Sequence, residues 1–144
     1  MQLKEIQTSE EIAQTLGVLQ QIYENLDAAN YVAKILSMME HGYKMAAVFE
    51  DPMVENGRCI GVVGIRIVDK LNHEKVVEIE DFMIDRQKRG IGVGKMLLRF
   101  VDWQAMMFRC KHIIGALETK RQESQKIFSR EKFILDGFFF RKIC

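Results

Sequence analysis

Proline is almost missing from this chain: Pro52 is the only one in 144 residues. No linker, internal repeat or low-complexity tract interrupts the sequence, so one domain spanning residues 1–144 is expected. Cysteine is also scarce. Cys59, Cys110 and Cys144 are odd in number and form no CxxC pair, which gives no support to a disulfide framework or a zinc site. Thiols without an evident pairing fit a reducing compartment, so a cytoplasmic location is expected. Net charge is nearly absent, with 21 Lys plus Arg against 20 Asp plus Glu. That balance offers no bulk attraction to nucleic acid or to a membrane surface, and neither is expected as a partner. No stretch approaches the ~18 consecutive apolar residues of a spanning helix. The opening MQLKEIQTSEEI lacks the apolar run of a signal peptide.

What the chain does contain is ordinary for a globular domain, with 48% hydrophobic and 28% charged residues, enough apolar side chains for a core. Residues 2–7 alternate loosely as a short strand. Thr8 or Ser9 then begins a helix with Glu10 and Glu11 in its first turn. Ile12, Leu16, Leu19, Tyr23 and Leu26 recur at helical spacing. A second helix is predicted over residues 28–40, burying Val32, Ile35, Leu36 and Met39, with Gly42 as its C-terminal cap. Strands follow at 43–49 and 59–68, joined as a hairpin through the turn signal Asn56-Gly57. Residues 69–75 are polar and read as a turn, and 76–84 as a third long strand. A helical stripe of Met96, Leu97, Phe100, Val101, Ala105 and Phe108 marks residues 93–109. A short strand at 113–117, a helix at 121–132 and an aromatic strand at 134–143, bent at Gly137, complete the order β-α-α-β-β-β-α-β-α-β. A hairpin followed by β-α-β-α-β implies an α/β fold with a mixed sheet flanked by helices.

The chemistry concentrates in VVEIEDFMIDRQKRGIGVGKMLLRF, residues 76–100. A strand runs into Arg86-Gln87-Lys88-Arg89-Gly90-Ile91-Gly92-Val93-Gly94, and a helix follows at once. Glycines permit tight turns and close approach of a ligand. A helix start adds unpaired N–H groups and partial positive charge, which together suit a pyrophosphate. Arg86, Lys88, Arg89, Lys95 and Arg99 form a local basic cluster. A Walker A loop is excluded: Arg89 stands where its first glycine belongs, and Met96 where its hydroxyl belongs. A dinucleotide fingerprint is excluded as well, because the third glycine of GxGxxG is displaced.

The run Gln87-Lys88-Arg89-Gly90-Ile91-Gly92 matches the Q/R-x-x-G-x-G/A hallmark of the GNAT superfamily of N-acetyltransferases, and Gly94 to Leu98 matches its G-x-x-L-L continuation. The element order resembles that family along nearly the whole chain. The resemblance implies acetyl-CoA as cosubstrate and a primary amine as acceptor. It implies that backbone N–H groups from Arg89 to Gly94, through Ile91, Gly92 and Val93, hold the CoA pyrophosphate, with Gln87, Lys88 and Lys95 beside them. It implies a mostly antiparallel sheet splayed between the fourth and fifth strands, with the pantetheine arm in that gap near Met83 and Ile84. Ser124, Arg121 and Phe128 on the following helix would be further CoA contacts.

Amide formation needs a neutral amine, and an alkylammonium has a pKa of about 10.4. Glu80, on the strand four residues before Ile84, is the candidate general base, and Glu78 shares its face by strand periodicity. Both are also the kind of acidic residue that simply pairs with Arg or Lys. Many family members protonate the departing thiolate from a Tyr on the helix after the fifth strand. Here Phe128 stands at that position, while Tyr23, Tyr31 and Tyr43 lie in the first third of the chain. Three outcomes stay open: an enzyme for a small amine, an enzyme for a protein N-terminus or lysine, and a CoA-binding regulatory module with little turnover. Tyr23, Glu24, Asn25, Asp27, Asn30 and Tyr31 would form the acceptor side. His41, His73 and His112 show no metal spacing, and no metal is expected. Phe138 to Phe140 read as core or as the seam of a homodimer.

Overall fold

A computed structural model describes residues 1–50, 57–72 and 74–144. Among them the elements run β1 (Gln2–Ile6), α1 (Ser9–Leu19), α2 (Ala28–Glu40), β2 (Lys44–Phe49), β3 (Cys59–Lys70), β4 (Glu74–Ile84), a 3-10 turn (Arg86–Lys88), α3 (Val93–Met107), β5 (His112–Gly115) and α4 (Gln122–Arg130). The five strands form one sheet in the order β1-β2-β3-β4-β5. Neighbours are antiparallel except β4 and β5, which run parallel. The mixed sheet with helices on both faces is the expected architecture.

Local chemistry sets the helix ends. Thr8 caps α1 by accepting from the Glu11 N–H, and the Glu11 side chain returns a bond to the Thr8 N–H at 3.0 Å. Asp27 caps α2 through the Ala29 N–H at 2.9 Å. Gly42, at φ +91°, ends α2: its N–H reaches Met39 and the Tyr43 N–H reaches Met38. These two bonds satisfy the last carbonyls of the helix in the left-handed glycine cap.

Each face of the sheet carries its own core. Ile12, Val18, Leu19, Tyr31 and Ile35 of α1 and α2 pack on Met45, Ala47, Val62 and Met83. Val93, Leu97, Phe100 and Val101 of α3, with Phe128 of α4, pack on Val48, Val63, Ile65, Val77, Ile79, Phe82 and Ile84. Because both faces are covered, β2 reads as the unbroken apolar run MAAVF rather than an alternating one.

The structure corrects several expectations. The helical spacing through Leu26 does not continue the first helix, which ends at Leu19. Ile22, Tyr23 and Leu26 instead lie in hydrogen-bonded turns and dock part-buried on the same core. Leu36 of α2 is exposed, and Tyr31 takes its place inside. Phe108, just past α3, is exposed as well. The expected turn at 69–75 is shorter, since β3 runs to Lys70 and β4 begins at Glu74; His73 lies outside the described residues. Of the hairpin turn signal, Asn56 lies outside them too.

The largest correction is at the C-terminus. Residues 133–144 form no strand. A strand needs a partner for its amides, and this segment pairs with none of the five. Ile134, Leu135, Phe138, Phe140 and Ile143 are all more than 80% exposed, although their pattern is strand-like.

Candidate active site

The first half of the site is the loop that ends β4. Asp85 is buried, and both its oxygens are engaged: Oδ1 accepts from the Gln87 N–H at 2.9 Å, and Oδ2 meets Arg58 Nη2 at 2.5 Å, with the Gln21 side chain a further partner. Burial acts to raise this carboxyl, but the Gln87 N–H and the Arg58 guanidinium outweigh it and hold it below the usual carboxylate range. Asp85 thus caps the 3-10 turn Arg86–Lys88 and aims the chain at the glycines. Asp85 was not among the expected site residues. Its signal was an Asp just ahead of a turn, in cap position.

Gly90 and Gly92 then take φ +80° and +92°, the left-handed region where a side chain is costly. Gly92 is the N-cap of α3 and supplies no side-chain bond to its first turn. Thr8 and Asp27 do supply one to α1 and α2. The first N–H groups of α3, around Val93, Gly94 and Lys95, therefore keep donors that a helix cannot satisfy internally. Gly94 has a different role. A Cβ there would lie 2.9 Å from Ile84 Cδ1 and 3.1 Å from Ile127 Cγ2, so its absence lets α3 pack against β4 and α4.

The basic cluster is only partly available. Arg86 is tied to Gln21, its N–H to Oε1 and Nη2 to the carbonyl, both at 3.0 Å. Lys88 pairs with Glu50 at 2.5 Å. Arg89, Ile91, Lys95 and Arg99 are exposed around the turn.

The second half is a split in the sheet. β5 pairs with β4 from Val76 only as far as Ile79, opposite Gly115. Beyond Ile79 the β4 edge is open on that side. The Phe82 carbonyl faces the gap, since Arg121 Nη2 donates to it. Backbone direction alternates along a strand, so Ile84 faces the gap too and Met83 turns toward β3. A cleft of about 180 Å³ lies in the split, lined among others by Tyr23, Glu80, Phe82, Leu117, Arg121 and Phe128.

Glu80 stands at the split itself. In the β3 register Gly64 faces Asp81 while Ile65 faces Ile79, which leaves Glu80 as an extra residue in a β-bulge. Ile79 and Phe82 consequently share one core although they are three residues apart, and Glu80 and Asp81 turn to the other face together. That spacing, Ile79-x-x-Phe82, was the one trace of the bulge in the sequence. The Glu80 carboxylate lies 3.3 Å from Arg66 Nε. Among the described residues that nitrogen has no hydrogen-bond partner, so the contact is one of charge alone. Burial raises the Glu80 carboxyl above its ordinary value against the pull of Arg66. Glu78 sits below the split, where β5 is still paired, with Lys70 at 3.4 Å.

Asp81 was not singled out from the sequence. It accepts from the Tyr23 hydroxyl at 2.6 Å and the Tyr43 hydroxyl at 2.7 Å. Tyr43 fits only because residue 64 is glycine: a Cβ there would lie 1.8 Å from its hydroxyl oxygen. Of the expected acceptor-side residues, Tyr23 reaches the cleft. Asp27 is occupied with capping α2. Tyr31 is buried, with its hydroxyl 2.6 Å from Thr15 Oγ1, and burial pushes its phenol up to about 12.

On α4, Ser124 and Phe128 are buried. Arg121 bonds Ser124 Oγ at 3.1 Å. The Phe128 ring meets Phe82 edge-on at 5.2 Å and stacks on Phe133 at 4.6 Å. It fills space beside the cleft and has no proton to give.

The uncapped start of α3 follows the end of β4, and the open strand edge with the raised Glu80 carboxyl lies in the cleft beside it. The model of the acetyltransferase (GNAT) family matches residues 19–130. Solved structures share the fold at low identity. One is an acetyltransferase from Trypanosoma brucei, with 21% identity, 99% of this chain and 100% of that chain covered, and a TM-score of 0.79. An aminoglycoside N-acetyltransferase in complex with CoA has 19% identity, coverage of 99% and 95%, and a TM-score of 0.80. A ribosomal-protein-alanine N-acetyltransferase from Brucella melitensis biovar Abortus has 10% identity, full coverage of both chains and a TM-score of 0.81. No curated protein matches the chain in sequence.

Proposed function

This chain belongs to the acetyltransferase (GNAT) family, and from that premise we propose that residues 1–144 form one N-acetyltransferase domain that moves an acetyl group from acetyl-CoA to a primary amine of a small molecule. The observation that carries this reading is the pairing of two features around β4: the uncapped start of α3 beyond its C-terminal end and the split that opens beside Glu80 midway along it. The α3 amides, with Gln87, Arg89, Gly90 and Gly92 shaping the turn, take the pyrophosphate. The open edge at Phe82 and Ile84 takes the amide-bearing arm, once Arg121 yields or shares the Phe82 carbonyl. Glu80 removes the proton of the attacking amine, directly or through water, and its raised pKa brings it closer to that task. The narrow cleft, with Glu80, Glu118 and the Tyr23 hydroxyl on its wall, favours a small cationic amine over a protein chain.

The enzyme works in the cytoplasm, where its three free cysteines stay reduced. It works as a homodimer, in which the exposed apolar segment 134–143 of each copy is covered by the other. The β5 edge that faces no further strand is the natural place for it, because an open edge and a strand-like tail without a partner satisfy each other's amides. Among the described residues no helix is long and apolar enough to cross a membrane.

Isothermal titration with acetyl-CoA, followed by thiol-release assays against pooled amines, tests the main reading. Binding with thiol release for one class of small amine is the expected result. Release only with peptide amines would shift the acceptor to protein. Binding without release from any amine would make the chain a CoA-occupied module. Absence of binding would remove the acetyl-CoA assignment.

A further inference from the structure

Breaking the thioester leaves an electron pair on sulfur, and the site must either protonate it or hold it as an anion. Phe128 offers no proton. Among the described residues Tyr23 is the one phenol lining the cleft, and its O–H is already donated to Asp81. Burial, with the Asp81 charge next, drives that phenol well above its ordinary value. Transfer from so weak an acid to a thiolate whose conjugate pKa is about 8.5 would run uphill.

A cation is present instead. Arg121 lines the same cleft as Glu80; it donates to the Phe82 carbonyl and to Ser124 Oγ, and the Ser124 bond keeps it at the cleft when the arm of CoA takes or shares that carbonyl. Both bonds come from one nitrogen, Nη2, of a guanidinium that carries five N–H donors. In the tetrahedral adduct the attacking nitrogen and the leaving sulfur are bonded to one carbon. The group that deprotonates the nitrogen and the group that meets the sulfur must therefore share one small space, as Glu80 and Arg121 do.

We propose that Arg121 is the group that receives the departing sulfur, stabilising CoA as a bound thiolate where a proton donor would otherwise act. This rests on the acetyl-CoA reading above. The amine nitrogen forms a bond to the carbonyl carbon and its proton passes to Glu80. The C–S bond then breaks with its electron pair on sulfur. The thiolate pairs with Arg121, and it takes a proton from water on release. Other charges act on the same place. During turnover Glu80 holds the amine's proton and is neutral, so Asp81 and Glu118 oppose the thiolate, while Arg89 and the exposed Arg141 favour it. With CoA alone an ionised Glu80 opposes it too, and Arg121 must outweigh three carboxylates, which makes its removal easy to read.

The test needs no acceptor amine. CoA is bound to the wild-type protein, to Arg121→Gln and to Arg121→Lys, and the ultraviolet absorbance of the thiolate is followed against pH. In the wild type the bound thiol should titrate about one unit or more below free CoA, roughly tenfold more thiolate at a given pH below both values. In Arg121→Gln it should return to the value of free CoA or rise above it, while Arg121→Lys keeps part of the shift. Bound CoA that titrates like free CoA in the wild type, or equally in wild type and Arg121→Lys and Arg121→Gln, would overturn the proposal and leave the acetyl-CoA reading standing. Failure of wild-type protein to bind CoA would instead remove that reading. If Arg121→Gln does not fold, shown by its thermal melt, the wild-type and Lys titrations decide alone: an unshifted wild type, or a Lys variant shifted as far as wild type, sinks the fixed-guanidinium assignment.

Discussion

At the scale of single residues, Glu80, the proposed base, illustrates how position changes an ordinary carboxylate. Its neighbour two places back, Glu78, has the same chemistry but lies where β4 and β5 are still paired. Glu80 occupies the bulge at the open edge, and burial raises its carboxyl. A base acts only when ionised, so the acid limb of kcat/KM should lie above the ordinary glutamate value of about 4.3. Glu80→Gln should lower kcat by about 10²-fold or more and flatten that limb; retention of the wild-type profile would dismiss Glu80. The sign for stability is opposite. A carboxyl whose folded pKa is raised favours the fold while protonated and loses that contribution as pH rises through the folded value. Glu80→Gln should therefore melt no lower than wild type at neutral pH, and above it if the carboxylate is strained there.

At the scale of elements, α1 and α3 begin in contrasting ways. α1 is closed by its own side chains. Thr8→Ala should cost about 1 kcal/mol of unfolding free energy in urea titration. Glu11, bound first to Lys4 and then to the Thr8 and Gln7 amides against the cost of burial, has its carboxyl lowered to about 2. A lowered folded pKa means stability that is present above the unfolded value and lost as pH falls toward about 2. Glu11→Gln should remove that part of the acid sensitivity, which melting curves across the acid range would reveal. α3 starts at Gly92 with no side-chain cap bond, and the proposed function gives its amides to a ligand. Gly92→Ala places a Cβ on a left-handed residue, at a cost of about 1–2 kcal/mol. It should also weaken acetyl-CoA binding by titration calorimetry, because the turn that aims the amides is disturbed; unchanged affinity would remove the α3 amides from the phosphate site.

At the scale of the whole molecule, the exposed C-terminal segment is the feature that a lone chain leaves unresolved. Six of its large apolar side chains are exposed, and the sheet ends in an unpaired edge among the described residues, a combination that promotes association. The double change Phe138→Ser with Phe140→Ser should convert a dimer into a monomer in sedimentation analysis while the thermal melt of the domain stays close to wild type. A wild type that sediments as a monomer at all accessible concentrations would end the dimer proposal.

Much of this protein was legible in its residues because the relevant physics is local. Glycine spacing after a strand identified the turn before α3, since only glycine adopts its φ without strain. Apolar spacing placed most strands and helices, and Gly42 announced the end of α2. Other features depended on pairing partners far along the chain. The helical spacing of Tyr23 and Leu26 was real, but it reflected docking on a core rather than continuation of α1. The strand pattern of 134–143 was real as well, but a strand exists only where another edge supplies its hydrogen bonds. The bulge at Glu80, the bonding of Asp81 to Tyr23 and Tyr43, and the placing of Arg121 in the split arise where β4, β5 and α4 meet. Sequence alone determined where the glycine turn and the uncapped helix start lie; tertiary structure decided which side chains line the cleft, because that depends on where two parallel strands part.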